Sequence, residues 1–179
     1  MTYVKLLADS LTLSRFLIGI WIAFLGLSQG SKGLFSAILW LLIAWLTDIL
    51  DGHLARKSQV NYQTWIGEHD LYADMTVSFG VLLYLTFSKF ISLFFTIIFL
   101  LLTFLGLWFF PSNQLANAFQ AVPYGLMIYT AFRNQLRYGL IIILYLLLLI
   151  IVTWPRFPKE KVPEFINGMK DLRKFIKKK

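Results

Sequence analysis

The chain alternates between long stretches with no charged side chain and short polar breaks. Four stretches lack charge altogether, Phe16–Ser31, Gly33–Thr47, Phe90–Phe132 and Tyr138–Pro155, and a shorter one covers Met75–Ser88. About 20 helical residues cross the ~30 Å hydrocarbon core of a bilayer, so Phe90–Phe132 is long enough for two spans. Pro111-Ser112-Asn113-Gln114 lies inside it and reads as the turn between them. The pattern predicts six helices, roughly 12–30, 33–54, 71–88, 91–110, 114–132 and 138–154. The short loops between them make neighbours antiparallel, and no internal repeat is evident.

Composition sharpens this picture. Of 179 residues, 58% are hydrophobic and only 15% are charged, against about 25% charged in soluble domains. The mean hydropathy is +0.69. A soluble protein of this size cannot hide so much apolar surface. A soluble globule and a disordered chain are both excluded, and the fold class expected is an all-α polytopic membrane protein with six transmembrane helices. There is no cysteine, which removes disulfides, thiolate zinc sites and thiol nucleophiles.

The net charge of +8 is concentrated at one end. Residues 156–179 hold nine of the 17 basic residues and three acids, so this tail carries +6. Charge at one end of an apolar chain argues against a nucleic-acid partner and for anionic membrane lipids at the cytoplasmic surface. Phe165, Ile166, Met169, Leu172, Phe175 and Ile176 recur at helical spacing in the tail, as in a helix lying on a membrane. Two units are expected: residues 1–155 as the transmembrane catalytic domain and 156–179 as a basic amphipathic cytoplasmic tail. With six spans both ends share a side. That side holds Lys5, Arg15, Arg56, Lys57 and the tail, and the opposite side holds only Lys32, Lys89, Arg133 and Arg137. A signal peptide over residues 1–30 is the rival reading. Asp9 and Arg15 interrupt its layout, and no small-residue cleavage site follows.

The informative residues are acidic. Gly33–Thr47 covers only about 22 Å as a helix, so the second span must continue through Asp48 and Asp51 to get across. The third span begins at Asp70 and Asp74. A carboxylate at mid-membrane costs about 2.5–3.5 kcal/mol, less near the interface, and four together repel one another. Asp48 and Asp51 stand at i, i+3 and Asp70 and Asp74 at i, i+4, so each pair shares a helix face. The two helices are expected to be antiparallel neighbours with both pairs at one end. Four hard oxygen ligands in one place suit Mg²⁺ or Mn²⁺, with two ions per site. Gly52 and Ala55 lie on the face of Asp48 and leave room for a ligand or for close helix packing. His53 and His69 are read as interfacial side chains rather than ligands, and the six tryptophans as interface anchors.

The run Asp48-x-x-Asp51-Gly52-x-x-Ala55-Arg56, followed by Gly67, Asp70 and Asp74, resembles the signature of the CDP-alcohol phosphotransferase (CDP-alcohol phosphatidyltransferase) family. The family pattern is D-x-x-D-G-x-x-A-R, a spacer, then G-x-x-x-D-x-x-x-D. The first block matches at every fixed position. In the second, Gly67 stands one residue too close to Asp70, while the Asp70-x-x-x-Asp74 step is intact. Leu11-Thr12-Leu13-Ser14-Arg15 is similar to the L-T-x-x-R run that opens many members.

The resemblance implies an enzyme of phospholipid biosynthesis. A substituted phosphate passes from a CDP-linked lipid, usually CDP-diacylglycerol, to an alcohol acceptor, with release of CMP. It implies metal ligation by Asp48, Asp51, Asp70 and Asp74, with Asp74 as the catalytic base on the acceptor hydroxyl. It also implies that Gly52, Ala55 and Arg56 border the cytidine diphosphate, with Thr12 and Arg15 as further donor contacts. It further implies a homodimer. The excess of basic residues on the side of the chain ends makes the site's side cytoplasmic, and a bacterial cell membrane is expected. Two readings from other classes compete. One is a divalent-cation or proton-coupled transporter, against which all four aspartates cluster at one end. The other, a structural membrane anchor, leaves the acidic cluster unexplained. For the acceptor, Phe90–Phe132 offers no Arg or Lys cluster to hold a phosphate, so a neutral or weakly charged alcohol is expected at least as readily as a phosphorylated one.

Overall fold

A computed structural model describes residues 2–57 and 65–154, with isolated positions between 159 and 167. The side chains of Thr2, Ala55, Arg56, Lys57, Gly67 and Glu68 fall outside the described set, as does most of the basic tail. Among the described residues the chain is all-helical, with no strand. The helices are α1 (Thr2–Ser28), α2 (Leu34–Lys57), the single turn α3 (Trp65–Glu68), α4 (Asp70–Phe87), α5 (Leu93–Phe109), α6 (Asn113–Asn134) and α7 (Leu136–Val152). A 3₁₀ turn over Gly30–Gly33 joins α1 to α2, with Gly30 at φ 54°.

Five of the six expected helices end within three residues of the bounds read from the hydrophobic pattern. The first does not, because α1 starts at Thr2 rather than near residue 12. A charged residue marks where a helix leaves oil, not where it ends. Lys5 and Asp9 pair across one turn at 3.8 Å, which keeps the polar end of α1 helical. Among the described residues, two segments are long and apolar enough to cross a bilayer on that evidence alone. They are Tyr3–Ser28 and Gly30–Leu54, with mean hydropathies of 1.7 and 2.0. Helices α5 and α7 are apolar but only 17 residues long, about 26 Å at 1.5 Å per residue.

The arrangement differs from the expected pairing of α2 with α4. Helix α1 packs most extensively, against α4 on one flank and α2 on the other, while α2 and α4 touch each other little. Because α2 reverses the chain, α1 and α4 run in the same direction: Thr12 faces Asp70, Gly19 faces Thr76 and Val77, and Gly26 faces Tyr84. The backbones meet at Gly19 and Gly80. A Cβ on Gly19 would stand 2.5 Å from the Thr76 carbonyl oxygen, and one on Gly80 would overlap the carbonyl of Gly19. Small residues at a helix crossing permit this approach and the dispersion contact that comes with it.

The core is built around that crossing from Ile18, Ile22, Leu25, Ile38, Leu41, Val81, Leu85, Met127 and Ile142. Two tyrosine hydroxyls find backbone partners: Tyr84 Oη donates to the Gly30 carbonyl at 3.1 Å and Tyr145 Oη to that of Leu42 at 2.8 Å. The outward faces are as apolar as the interior. Leu13, Leu17, Ile20 and Phe24 of α1, Phe94, Ile97, Leu101 and Phe104 of α5, and Leu144, Leu148 and Ile151 of α7 are exposed.

Gly80→Val is expected to abolish the folded species, read as loss of a monodisperse peak and of a thermal transition in detergent. Gly125→Ala serves as the control, since nothing lies within 4 Å of the added methyl group. It is expected to leave the melting temperature unchanged or raise it, because alanine is the better helix former by about 1 kcal/mol.

Candidate metal centre

Three helices deliver the polar cluster to one end of the bundle. Helix α2 supplies Asp48 and Asp51 near its C-terminus, and α4 supplies Asp70 and Asp74 from its first two turns. A carboxylate at a helix start is favoured by the exposed N–H groups and the positive end of the helix dipole. Helix α1, wedged between them, contributes Thr12 and Arg15.

Arg15 sits at the centre with 1% of its side chain exposed. Its Nη1 donates to Asp48 Oδ1 at 2.8 Å and also to Asp74 Oδ1. Its Nη2 donates to Asp51 Oδ2 at 2.5 Å and to Asp70 Oδ1. One guanidinium thus bridges all four aspartates, two per terminal nitrogen. Thr12 Oγ1 donates to Asp51 Oδ2 at 2.9 Å. Asp51 is buried, whereas Asp48, Asp70 and Asp74 keep 48%, 44% and 30% of their side chains accessible. The cluster is therefore closed at Asp51 and open on the other three.

A divalent cation fits this donor set. One carboxylate oxygen each from Asp48, Asp70 and Asp74 lies within 4.8 Å of the others, a spread that ligand distances of about 2.0–2.6 Å can span. All donors are hard oxygens, as Mg²⁺ and Mn²⁺ prefer. When all are ionised, four carboxylates and one guanidinium sum to three net negative charges, which a single arginine does not balance. A cation on these oxygens competes with Arg15 for them.

Around the centre, the expected neighbours fall out unevenly. Gly52 is half-buried one turn beyond Asp48. The side chains of Ala55 and Arg56 and the environment of Gly67 lie outside the described residues. His69 is taken up in an aromatic stack, 4.4 Å from Trp65 and 5.5 Å from Tyr72, with Nδ1 bonded to the Trp65 carbonyl at 2.7 Å. His53 is exposed. Of the tryptophans, Trp21, Trp65, Trp108 and Trp154 are exposed, while Trp40 and Trp45 pack on the core and are not interface anchors.

The hydrophobic pattern gives no warning of a cavity beside the cluster. It holds about 160 Å³ and is lined by Arg15, Asp48 and Asp74 and by Ala44, Trp45, Val77, Gln120 and Tyr124. Tyr124 Oη donates to the Asp74 backbone carbonyl at 3.4 Å, and Trp45 meets the Tyr124 ring edge-on at 5.4 Å. Gln120 Nε2 is closed off from solvent without a hydrogen-bond partner. A faint signal was present: Gln120 and Tyr124 are polar groups four apart inside the charge-free run Phe90–Phe132.

The fold and site together are an all-helical bundle with four aspartates from α2 and α4 gathered at one end. The family model for CDP-alcohol phosphatidyltransferases matches residues 5–160, and the chain belongs to that family. Its members are membrane-associated transferases of substituted phosphate groups, typically dependent on divalent metals. Searches of curated proteins and of solved structures gave no significant match.

Removing the central guanidinium tests the competition. Arg15→Gln leaves the carboxylates to repel one another. Its melting temperature in EDTA is expected to fall by several degrees, and Mn²⁺ titration is expected to show several-fold tighter binding than wild type. Unchanged Mn²⁺ affinity would show that Arg15 and the cation do not share these oxygens.

Proposed function

We propose that this protein is a multi-pass membrane enzyme that transfers a phosphatidyl group from CDP-diacylglycerol to an alcohol, releasing CMP. The observation that carries this reading is the convergence of Asp48, Asp51, Asp70 and Asp74 on one point. The apolar outer faces of α1, α5 and α7 support burial in lipid. Helix α2 also turns Phe35, Leu39, Ile43, Leu46 and Leu50 outward, and the reading includes six spans. The excess of basic residues on the side of the chain ends supports a cytoplasmic location for the cluster. A lipid donor and a water-soluble acceptor can meet only at such an interface. Pairing as a homodimer belongs to the same proposal.

Each residue has a role in the transfer. Asp48, Asp51, Asp70 and Asp74 would hold Mg²⁺ or Mn²⁺, which when bound neutralises charge on the diphosphate and its leaving oxygen. Thr12 fixes one oxygen of Asp51. Gly52, Ala55 and Arg56 border the cytidine diphosphate, and Arg15 contributes charge toward the donor phosphates. Asp74 belongs both to the cluster and to the cavity wall, so it is placed to take the proton of an acceptor hydroxyl. The acceptor oxygen bonds to the lipid-bearing phosphorus, the bond from that phosphorus to the CMP oxygen breaks, and CMP leaves with the electron pair.

The transporter reading lacks a path. Helices α5, α6 and α7 contain no acidic residue at all, so no carboxylate relay continues beyond the cluster.

Asp74→Asn is expected to lower CMP release from CDP-diacylglycerol by a factor of about 10²–10⁴, the usual contribution of a general base. Its melting temperature should stay near wild type, and it should retain a measurable Mn²⁺ titration. CMP release at the wild-type rate would remove Asp74 from the base role. Metal uptake by proteoliposomes free of CDP-lipid would favour the transporter instead.

A further inference from the structure

We infer that the face of the bundle opposite the metal centre docks the headgroup of an anionic phospholipid through Lys32, Lys89, Arg133 and Arg137. This goes beyond the transferase reading and uses only the membrane setting of the bundle. Three turns build the face: Gly30–Gly33 between α1 and α2, residues 88–92 between α4 and α5, and the break at Gln135 between α6 and α7. From Arg15 to the end of α1 at Ser28, and from Asp74 to the end of α4 at Phe87, the helices rise about 20 Å. The face is therefore a separate surface from the acidic cluster.

Tertiary contacts draw the three turns together. Tyr84 Oη donates to the Gly30 carbonyl at 3.1 Å, and the Tyr84 ring lies 6.4 Å from Phe90, which follows Lys89. Phe35, at the start of α2, stacks at 5.2 Å on Tyr138, which follows Arg137. Leu34, Phe90 and Tyr138 all pack into one core, so the turn that carries Lys32 is tied to both of the others. The four cations are exposed, and among the described residues none of them forms an ion pair. All nine acidic residues of the chain fall elsewhere, six at the metal-centre end and three beyond residue 155. The face thus carries four positive charges with no internal counter-charge.

Local preference does not account for two of these charges. Lys89 holds φ 61°, the one positive φ of a non-glycine among the described residues, at a helix end where glycine or asparagine is usual. Arg137 stands in the first turn of α7, the positive end of a helix, where a cation is unfavourable. An external anion offsets both costs, and arginine forks onto phosphate oxygens. The surface beside the cations selects the kind of anion. Leu27, Phe87, Leu93, Phe94, Phe132 and Leu136 are exposed in the last or first turns of the helices that meet here. Cations bordering an apolar band match an amphiphile, with its phosphate on the basic side chains and its acyl chains along the helices. A free phosphate ion leaves the apolar band unmatched, and a zwitterionic lipid brings its own cation to a positive face.

The test is thermal unfolding of the purified full chain in neutral detergent with EDTA, titrated with phosphatidylglycerol or with phosphatidylcholine of the same acyl chains. EDTA leaves the acidic cluster net negative, so that end repels the anionic lipid. Phosphatidylglycerol is expected to raise the melting temperature by several degrees, and phosphatidylcholine to leave it unchanged. One cation near a charged lipid surface is worth a factor of about five in affinity, so Lys89→Gly is expected to raise the half-saturating lipid concentration about fivefold. Glycine also accepts the positive φ, so this variant is expected to start from a melting temperature at or above wild type. Loss of structure would lower the melting temperature instead. K32Q/K89Q/R133Q/R137Q is expected to lose the lipid shift; should it fail to fold, Lys89→Gly decides. A shift that persists in these variants and disappears in K177Q/K178Q/K179Q assigns the lipid to the basic tail and overturns the proposal. An equal shift from phosphatidylcholine, or from inorganic phosphate alone, also overturns it. No arm measures CMP release, so failure here leaves the transferase reading standing, and failure of that reading leaves this one.

Discussion

The structure depends on one electrostatic arrangement, four carboxylates gathered around a single buried guanidinium at the end of an apolar bundle. Each component alone is costly in such a place. Arg15 without partners would be a desolvated cation, and the aspartates without Arg15 would repel one another. Together they form a set of charge-assisted bonds, with Arg15 using both terminal nitrogens twice. The arrangement remains net negative, and that residual charge suits the centre to divalent cations rather than to static structure.

Helix α1 makes this arrangement possible by lying between the two acid-bearing helices. Its place is secured by the Gly19–Gly80 crossing, where a methyl group on either residue meets backbone. That close approach is what brings Arg15 within reach of α4 while the opposite flank of α1 stays against α2. Packing and chemistry are therefore coupled. The crossing sets the separation of α1 and α4, and the separation sets whether one side chain can reach carboxylates on two helices. Thr12, one turn before Arg15, adds a hydroxyl to the same set and orients Asp51, the most enclosed of the four.

The boundaries of five helices were legible because uncharged runs and their breaks report directly on which segments shed water. Gly33–Thr47 is too short to cross alone, and the length of that run by itself places Asp48 and Asp51 on a helix. The start of α1 was not legible, since the uncharged run opens only at Phe16, while Lys5 and Asp9 form an ion pair within the helix. Trp45 shows a similar failure. Its residue type suggests a membrane interface, whereas its position on α2 turns it toward Tyr124 and the core.

By itself the sequence determined the helical class, the apolar setting and the aspartate pairs, because each follows from local composition and the 3.6-residue period. Membership of a transferase family was written in the spacing of Asp48, Asp51, Gly52, Ala55 and Arg56. Only the tertiary structure decided that Arg15 is the hub of the acidic cluster and that a cavity bounded by Gln120, Tyr124 and Trp45 adjoins Asp74. These residues come from helices far apart in the chain. Their meeting depends on which helix packs against which, and that is fixed by glycine contacts and side-chain shape across the bundle, not by any local pattern.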